Sequence, residues 1–239
     1  MPNGVMDDAG PPPRWLAPFG WFTLLFIIGS QVFAIMTSPP EQNMGHLQKI
    51  LYVHVPAAWV AGLAFLLVFI YSLLFLWKRE PRHDLVAAAA AEVGTILTAL
   101  TIALGSIWAR PTWGVWWTWD PRLTTTALVL MIFAGYLALR AFTEDDDQRG
   151  RWSAAVGILG FVCVPIVYMS VKWWRTIHQP QSTMESVDSP YAIGLLLNSL
   201  AFTALLVYLV ASRYRIARLD RGIQAREEEA ALTGGRVHV

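Results

Sequence analysis

Six long apolar runs restrict the possible fold of this chain more than any other feature of its sequence. Each run is about 20 residues long, and a single charged residue, Glu92, lies inside them. About 20 helical residues span the roughly 30 Å hydrocarbon core of a bilayer, and in lipid a helix pairs its own backbone groups. The sequence therefore predicts an all-α integral membrane protein with six transmembrane helices. Their predicted bounds are 19–36, 57–76, 85–107, 123–139, 154–171 and 191–210.

The distribution of basic residues predicts the orientation of these helices. Thirteen of the 18 Lys and Arg residues lie on the side of the N-terminus, and five lie in the loops of the other side. Loops rich in Lys and Arg stay in the cytoplasm, so both termini are predicted to be cytoplasmic. We expect one membrane domain over residues 1–239, whose end, residues 213–239, is a polar cytoplasmic tail.

Two other features exclude alternative classes of protein. The first apolar run is longer than the apolar stretch of a signal peptide, about 7–15 residues, and no persuasive cleavage site follows it, so we expect a retained helix. Cys163, the single cysteine, lies in the fifth run, which excludes a disulfide or a CxxC pair within this chain. Within the runs, Glu92 lies near the cytoplasmic end, and Asn198 is predicted to make an inter-helix hydrogen bond.

A tryptophan-rich loop follows the third run, on the predicted outer side. Five of the 12 tryptophans fall within residues 108–119. Trp113, Trp116 and Trp117 have the spacing i, i+3, i+4, which predicts that they share one face of a short helix and form a flat apolar platform. An aromatic belt at the headgroup level is the plainer interpretation. A platform could bind lipid, a partner helix or a large planar ligand, and the spacing does not choose among them.

The end of this loop has the pattern of a helix start. Asp120 precedes Pro121, and an Asp at the N-cap followed by Pro at the first helical position is a common way to begin a helix. We therefore expect Asp120 to cap the fourth helix and to hold the loop in place.

The two flanking outer loops each carry a histidine. His54 is predicted to lie directly before the second span, and His178 follows the fifth. Either residue alone is more often structural, but two histidines beside an aromatic platform match the axial ligands and apolar walls that haem requires. His46 could replace His54, and His83 is predicted to be cytoplasmic. The cations near enough in sequence to pair with the haem propionates are Arg122, Arg175, Lys172 and Arg110.

The loop sequence WGVWWTWDPRLT, residues 113–124, resembles the WWD signature of haem-handling membrane proteins in cytochrome c biogenesis. The six spans, HVPAA at residues 54–58 and WWRTIHQ at residues 173–179 make the chain similar to the CcmC (cytochrome c maturation protein C) family from about residue 19 to residue 210.

This resemblance implies a haem chaperone that is not an enzyme. Its one link to a reaction would be assistance to the covalent attachment of haem to its partner. It implies transient binding of haem b between His54 and His178, with Trp113, Trp116, Trp117, Trp119, Asp120, Arg122 and Arg175 around it. It also implies transfer to the periplasmic haem chaperone CcmE, and work beside the ABC transporter CcmA/CcmB and the single-span CcmD. The location implied is the bacterial cytoplasmic (inner) membrane, with the active face periplasmic.

Two alternatives remain open. A membrane cytochrome b would place its histidines within the spans, where the predicted bounds contain none. A haem-free transporter subunit would use the tryptophan loop to dock another protein. A larger haem lyase with the same signature would need many more than six spans.

Overall fold

The fold is a bundle of six helices. The computed structural model describes residues 11–180 and 189–234, and all regular secondary structure in these residues is helical. Each helix contains a segment long and apolar enough to cross a membrane, which confirms the predicted all-α, six-span class. A short 3₁₀ turn, His46–Ile50, leads into the second helix. The helices are α1 (Leu16–Thr37), α2 (Leu51–Lys78), α3 (Pro81–Trp113), α4 (Pro121–Phe142), α5 (Asp146–Trp173) and α6 (Ser189–Gly234).

The helices extend beyond the predicted apolar runs. Hydropathy marks the part of a helix that suits lipid, whereas backbone hydrogen bonding continues through polar residues until a residue breaks it. Arg79 ends α2 and Gly114 ends α3, both in the left-handed conformation, with φ of 57° and 81°. The polar tail begins as a continuation of α6, which stays helical to Gly234. Residues 181–188 of the third outer loop and 235–239 of the tail lie outside the described residues.

Helix α2 lies at the centre of the bundle, packed against α3, α5 and α6, while α1 packs on α6 and α4 packs on α5 and α3. Small residues allow the close approach of α2 and α3. A Cβ added at Gly94 would lie 2.7 Å from Cε1 of Phe65, so only glycine fits there. Phe65 in turn stacks on Phe133 of α4, with ring centroids 3.8 Å apart. These contacts hold the helices together by close van der Waals packing, because lipid supplies no hydrophobic driving force for helix association.

Polar links join the helices inside the bundle. The side-chain amide of Asn198 donates to the Ser30 carbonyl at 3.2 Å and its oxygen accepts from the Ser30 hydroxyl at 3.0 Å, which confirms the predicted inter-helix bond. At the surface of the bundle, Glu92 forms an ion pair with Arg213 of α6, and the guanidinium Nη2 donates to its Oε1 at 2.9 Å.

Asp84 forms the deepest ion-pair cluster, at the end of the bundle that carries the α2–α3 and α4–α5 turns. Its carboxylate is buried and accepts from Arg140 of α4 at 2.5 and 2.9 Å and from Arg221 of α6 at 3.2 Å. A buried carboxylate needs such partners, because an unpaired charge there costs several kcal/mol, about 3–5 when one partner is removed. The cluster therefore ties α3, α4 and α6 together at this end. We call the other end, formed by residues 38–50, 114–120 and 174–180, the tryptophan face.

Candidate binding cavity at the tryptophan face

A large cavity leads from the tryptophan face into the bundle. It lies between α2, α3, α4 and α5 and has a volume of about 740 Å³. Pockets that bind cofactors and other small molecules have volumes of roughly 300–1,000 Å³ and mostly apolar walls. Here the deep end is apolar and includes Phe65, Val129 and Phe161. The polar and aromatic groups gather near the face, where His54, Trp108, Trp113, Trp117, Arg122 and His178 line the cavity.

His54 lies in the first turn of α2, because the helix begins at Leu51 rather than after Pro56. The prediction that it precedes the second helix is therefore wrong: Pro56 lies inside α2 and does not begin it. Pro56 has no N–H to offer the Tyr52 carbonyl, and the side-chain amide of Gln31 donates to that carbonyl instead, at 3.1 Å. A bond from α1 thus stabilises the turn that carries His54.

The His54 ring is held between two residues of α3. It meets the Trp108 ring edge-on, with centroids 5.8 Å apart and an interplanar angle of 83°. On its other side, a Cβ added at Gly105 would lie 3.1 Å from its Cε1. The Nδ1 atom is buried and has no hydrogen-bond partner within the described residues. Buried ring nitrogens are usually paired, so the missing partner is unusual for a folded protein.

The position of the His54 ring should require glycine at position 105. We expect Gly105→Val to displace the His54 ring, because its branched side chain would occupy the space against Cε1. Binding of any ligand that uses His54 should weaken at least about tenfold, a loss of 1.4 kcal/mol. Gly135→Val on α4 is the matched control, since a Cβ there meets nothing within 4 Å. Ligand titration of both purified variants measures the difference, and equal affinities would contradict this role.

His178 lies in the segment after α5, where its Nδ1 is 2.7 Å from the Gln179 carbonyl oxygen. With Nδ1–H donating to that carbonyl, Nε2 carries the lone pair, which is the form that a metal-ligating histidine takes. Burial lowers the pKa of His178 below its ordinary value, and the nearby Arg122 adds to the shift, against the opposing effects of the Gln179 bond and Asp120. The ring is therefore neutral at pH 7. Trp113 contacts it edge-on, at 6.3 Å between centroids.

Asp120 joins the tryptophan loop to the segment that carries His178. Its Oδ1 accepts from the Arg122 backbone N–H at 2.9 Å, which confirms the predicted N-cap of α4. The same carboxylate accepts from the Thr176 hydroxyl at 2.7 Å and from the Ile177 N–H at 2.8 Å. The buried carboxylate therefore fixes both loops that border the cavity.

The sequence comparisons identify the family of a protein with this cavity. The profile of the family described as "CcmC: Heme exporter protein C" matches residues 11–229. The chain belongs to the Heme exporter protein C family. It is 34% identical to Heme exporter protein C of Bradyrhizobium diazoefficiens, over 90% of this chain and 86% of that protein. It is 32% identical to Heme exporter protein C of Escherichia coli K12, over 85% and 86%. It is 36% identical to a putative cytochrome c biosynthesis ccmC-like mitochondrial protein of Marchantia polymorpha, over 70% and 69%.

In this member of the Heme exporter protein C family, the three tryptophans predicted to form the platform do not share one helical face. Helix α3 ends at Trp113, and residues 114–120 are not helical, so the predicted short helix is wrong. Trp113 and Trp117 line the cavity, whereas Trp116 and Trp119 are exposed, Trp119 to 80%. Trp119 meets Trp117 edge-on at 5.8 Å between centroids. The loop thus gives two indoles to the cavity and two to its outer surface.

The basic residues of this face differ in their access to the cavity. Arg122 lines it, and its Nη1 donates to the carbonyls of Val167 and Tyr168 at the end of α5, at 2.8 and 3.4 Å. Arg175, Lys172 and Arg110 are exposed and do not belong to the cavity lining within the described residues. Lys172 lies over the Tyr168 ring, and Arg110 donates to the Gly114 carbonyl. Of the predicted cations, Arg122 therefore has the best placement for a ligand in the cavity.

Several lining residues were not predicted from the sequence. Trp108 directly follows the third apolar run and was not among the predicted site residues, yet it lines the cavity and donates from Nε1 to the Met44 sulfur at 3.3 Å. His46, the alternative to His54, is exposed and does not line the cavity. The role of Gly105 requires the fold, because a glycine within an apolar run gives no sign of what lies against it.

Proposed function

We propose that this protein is a haem chaperone of cytochrome c maturation, which binds haem b in the tryptophan-face cavity and passes it to the periplasmic haem chaperone CcmE. One observation carries the proposal: His54 and His178, which are 124 positions apart in the sequence, line the same apolar cavity beside the tryptophan loop. Its relatives' names, heme exporter and cytochrome c biosynthesis protein, agree with haem handling in this pathway.

The two histidines are suited to bis-imidazole ligation of the haem iron. Each has a ring nitrogen without a hydrogen bond: the buried Nδ1 of His54 has no partner in the described residues, and Nε2 of His178 is left free by the Gln179 bond. Apolar walls and the indoles of Trp108 and Trp113, which contact the two histidines edge-on and line the cavity, would favour a porphyrin. The chain would supply ligation, orientation and a dry cavity, and no enzymatic step of its own.

Arg122 would pair with a haem propionate. Its observed bonds use Nη1, and a guanidinium has further N–H donors on Nε and Nη2. Charge-assisted bonds from Arg to a carboxylate are stronger than neutral ones, which favours Arg at this position. Arg175 remains a second proposed partner, for a propionate that reaches the outer surface.

Replacement of Arg122 should therefore weaken haem affinity more than replacement of Arg175. We expect Arg122→Gln to reduce affinity about tenfold, Arg122→Lys to reduce it less, and Arg175→Gln to have a smaller effect. Lys49→Gln is the matched control, since Lys49 lies on the same face with its Nζ on the Ile35 carbonyl. Haem titration followed by absorbance gives the four affinities, and an unchanged Arg122→Gln affinity would contradict propionate pairing.

The position of the cavity suits transfer to a partner. Trp117 and His178 belong to segments outside the helices, and the exposed Trp116 and Trp119 offer an apolar surface beside them, where CcmE would dock. The excess of basic residues at the other end supports a periplasmic cavity in the inner membrane.

We further propose that the ABC transporter CcmA/CcmB and CcmD, which the CcmC resemblance implies, are the other partners.

A transfer assay tests the proposed function. Haem-loaded protein mixed with purified apo-CcmE should lose its haem band as CcmE gains one, whereas a CcmE variant without its haem-binding histidine should not retain haem. Before transfer, acid-acetone should extract the haem as haem b, because no covalent bond holds it. Retention of haem by this protein in the presence of CcmE would contradict the chaperone role.

The same assay separates the two alternatives. His54 lies inside α2, so the absence of histidine from the spans no longer argues against a membrane cytochrome b. A cytochrome b would bind haem stably and undergo redox cycling without transfer. A haem-free docking subunit would purify without haem and would still bind CcmE.

A further inference from the structure

A second cavity lies at the opposite end of the bundle, away from the proposed haem site. Its volume is about 260 Å³, and it lies between the end of α2, the start of α3 and the middle of α6. Its lining is mostly polar and aromatic and consists of Tyr71, Arg82, His83, Val86 and Tyr214. None of these residues has a role in haem binding.

His83 is the unusual member of this lining. The residue is only 6% exposed, and its Nδ1 is buried without a hydrogen-bond partner among the described residues. Its ring contacts the Tyr71 ring at 6.0 Å between centroids, a contact that satisfies neither nitrogen. Every tautomer of imidazole carries at least one N–H, and buried polar atoms are almost always paired in folded proteins. Because the buried Nδ1 has no acceptor, the N–H is left to Nε2, which is suited to an external hydrogen-bond acceptor.

The surroundings of His83 favour a negatively charged acceptor. Lys78 and Arg82 are the cations close enough to act on it, against one carboxylate, Glu80. Glu80 pairs with Nε of Arg82, which leaves the other guanidinium N–H donors available. The cavity also lies at the N-terminus of α3, which begins at Pro81 and presents the positive end of its helix dipole.

We propose that this cavity binds a phosphate group through His83 and Arg82. The group could belong to an anionic phospholipid headgroup or to free phosphate, which share this chemistry. Its position at the end of the membrane-spanning part of α2 and α3, among Lys and Arg residues, is where anionic headgroups lie. The proposal is independent of haem binding.

Binding can be measured on the full chain in detergent. The probes are dihexanoyl-phosphatidylglycerol, dihexanoyl-phosphatidylcholine and inorganic phosphate at matched ionic strength, with the thermal unfolding midpoint as the readout. We expect saturable stabilisation by phosphatidylglycerol and little by phosphatidylcholine. If inorganic phosphate stabilises to the same extent and competes, free phosphate is the ligand; if it does neither, the ligand is the lipid headgroup. The absence of a saturable effect from both phosphatidylglycerol and inorganic phosphate overturns the proposal.

Variants connect the binding to this cavity. His83→Phe keeps an aromatic ring and removes the nitrogen atoms, and Arg82→Gln alters an exposed side chain whose ion-pair partner is Glu80. Each should weaken binding about tenfold or more, while His46→Phe, at the tryptophan face, should not. If His83→Phe fails to fold, Arg82→Gln decides the result alone. Wild-type affinity in either folded variant, or an experimental structure with only water in the cavity, would overturn the proposal.

Discussion

Protein with His54→Ala or His178→Ala should lose the low-spin bis-imidazole haem spectrum of the wild type. Each substitution removes one proposed axial ligand and leaves five-coordinate or water-ligated haem, which is high-spin. Loss of a group that hydrogen-bonds to a metal ligand typically reduces metal affinity by roughly 10–100-fold. Here the ligand itself is removed, so we expect haem affinity to fall by more than that. Absorbance of the purified variants, before and after addition of haem, measures both effects.

Histidines outside the cavity provide the controls. His46→Ala changes an exposed histidine of the same face that does not line the cavity, and His83→Ala changes one at the opposite end. Neither should shift the spectrum. Addition of imidazole should restore the low-spin form of His178→Ala more readily than that of His54→Ala, because His54 is enclosed by Trp108 and Gly105. Unchanged spectra in both cavity variants would assign the ligands elsewhere.

Asp120→Ala should destabilise the protein and weaken haem binding together. The substitution removes the N-cap of α4 and leaves the Ile177 N–H and the Thr176 hydroxyl without their carboxylate acceptor. Bonds to a charged group contribute about 1.5–3 kcal/mol each, and they are not additive, so we expect a total loss of about 3–5 kcal/mol. Haem affinity falls because the segment that positions His178 is released. Thermal unfolding and haem titration measure the two losses.

A second capping aspartate provides the control for stability alone. Asp145 caps α5 at the opposite end, where it accepts from the Gln148 N–H at 2.7 Å. Asp145→Ala should cost about 0.5–2 kcal/mol and leave haem affinity unchanged. Asp120→Asn should be intermediate, because its amide keeps one acceptor oxygen and loses the charge. Equal haem affinity in Asp120→Ala and the wild type would contradict the positioning role of Asp120.

The fold could be predicted from the sequence because lipid imposes simple rules on it. Apolar length and the need for internal backbone pairing gave six helices, and Asn198 and Asp120 made the bonds that their residue types indicated. The end of α3 was predicted less well, since the spacing of Trp113, Trp116 and Trp117 suits a helix. Gly114 between them, in the left-handed conformation, was the available signal, because glycine commonly follows a helix end.

The remaining features of the site depend on contacts between distant residues. The bonds of Asp120 to Thr176 and Ile177 join residues 56 and 57 positions apart. The Gln31 bond to the Tyr52 carbonyl, which compensates for Pro56, likewise needs α1 to pack beside α2. Local sequence patterns contain no information on such contacts. Local patterns predict which residue types lie at the tryptophan face, and the fold determines which of these residues contact one another.

The absorption and electron paramagnetic resonance spectra of the wild-type protein, purified from haem-replete cells, decide whether His54 and His178 ligate haem. We expect about one haem b per chain, with a Soret band and the low-spin signal of two imidazole ligands. Purified protein without a Soret band, and without binding of added haem, would contradict it.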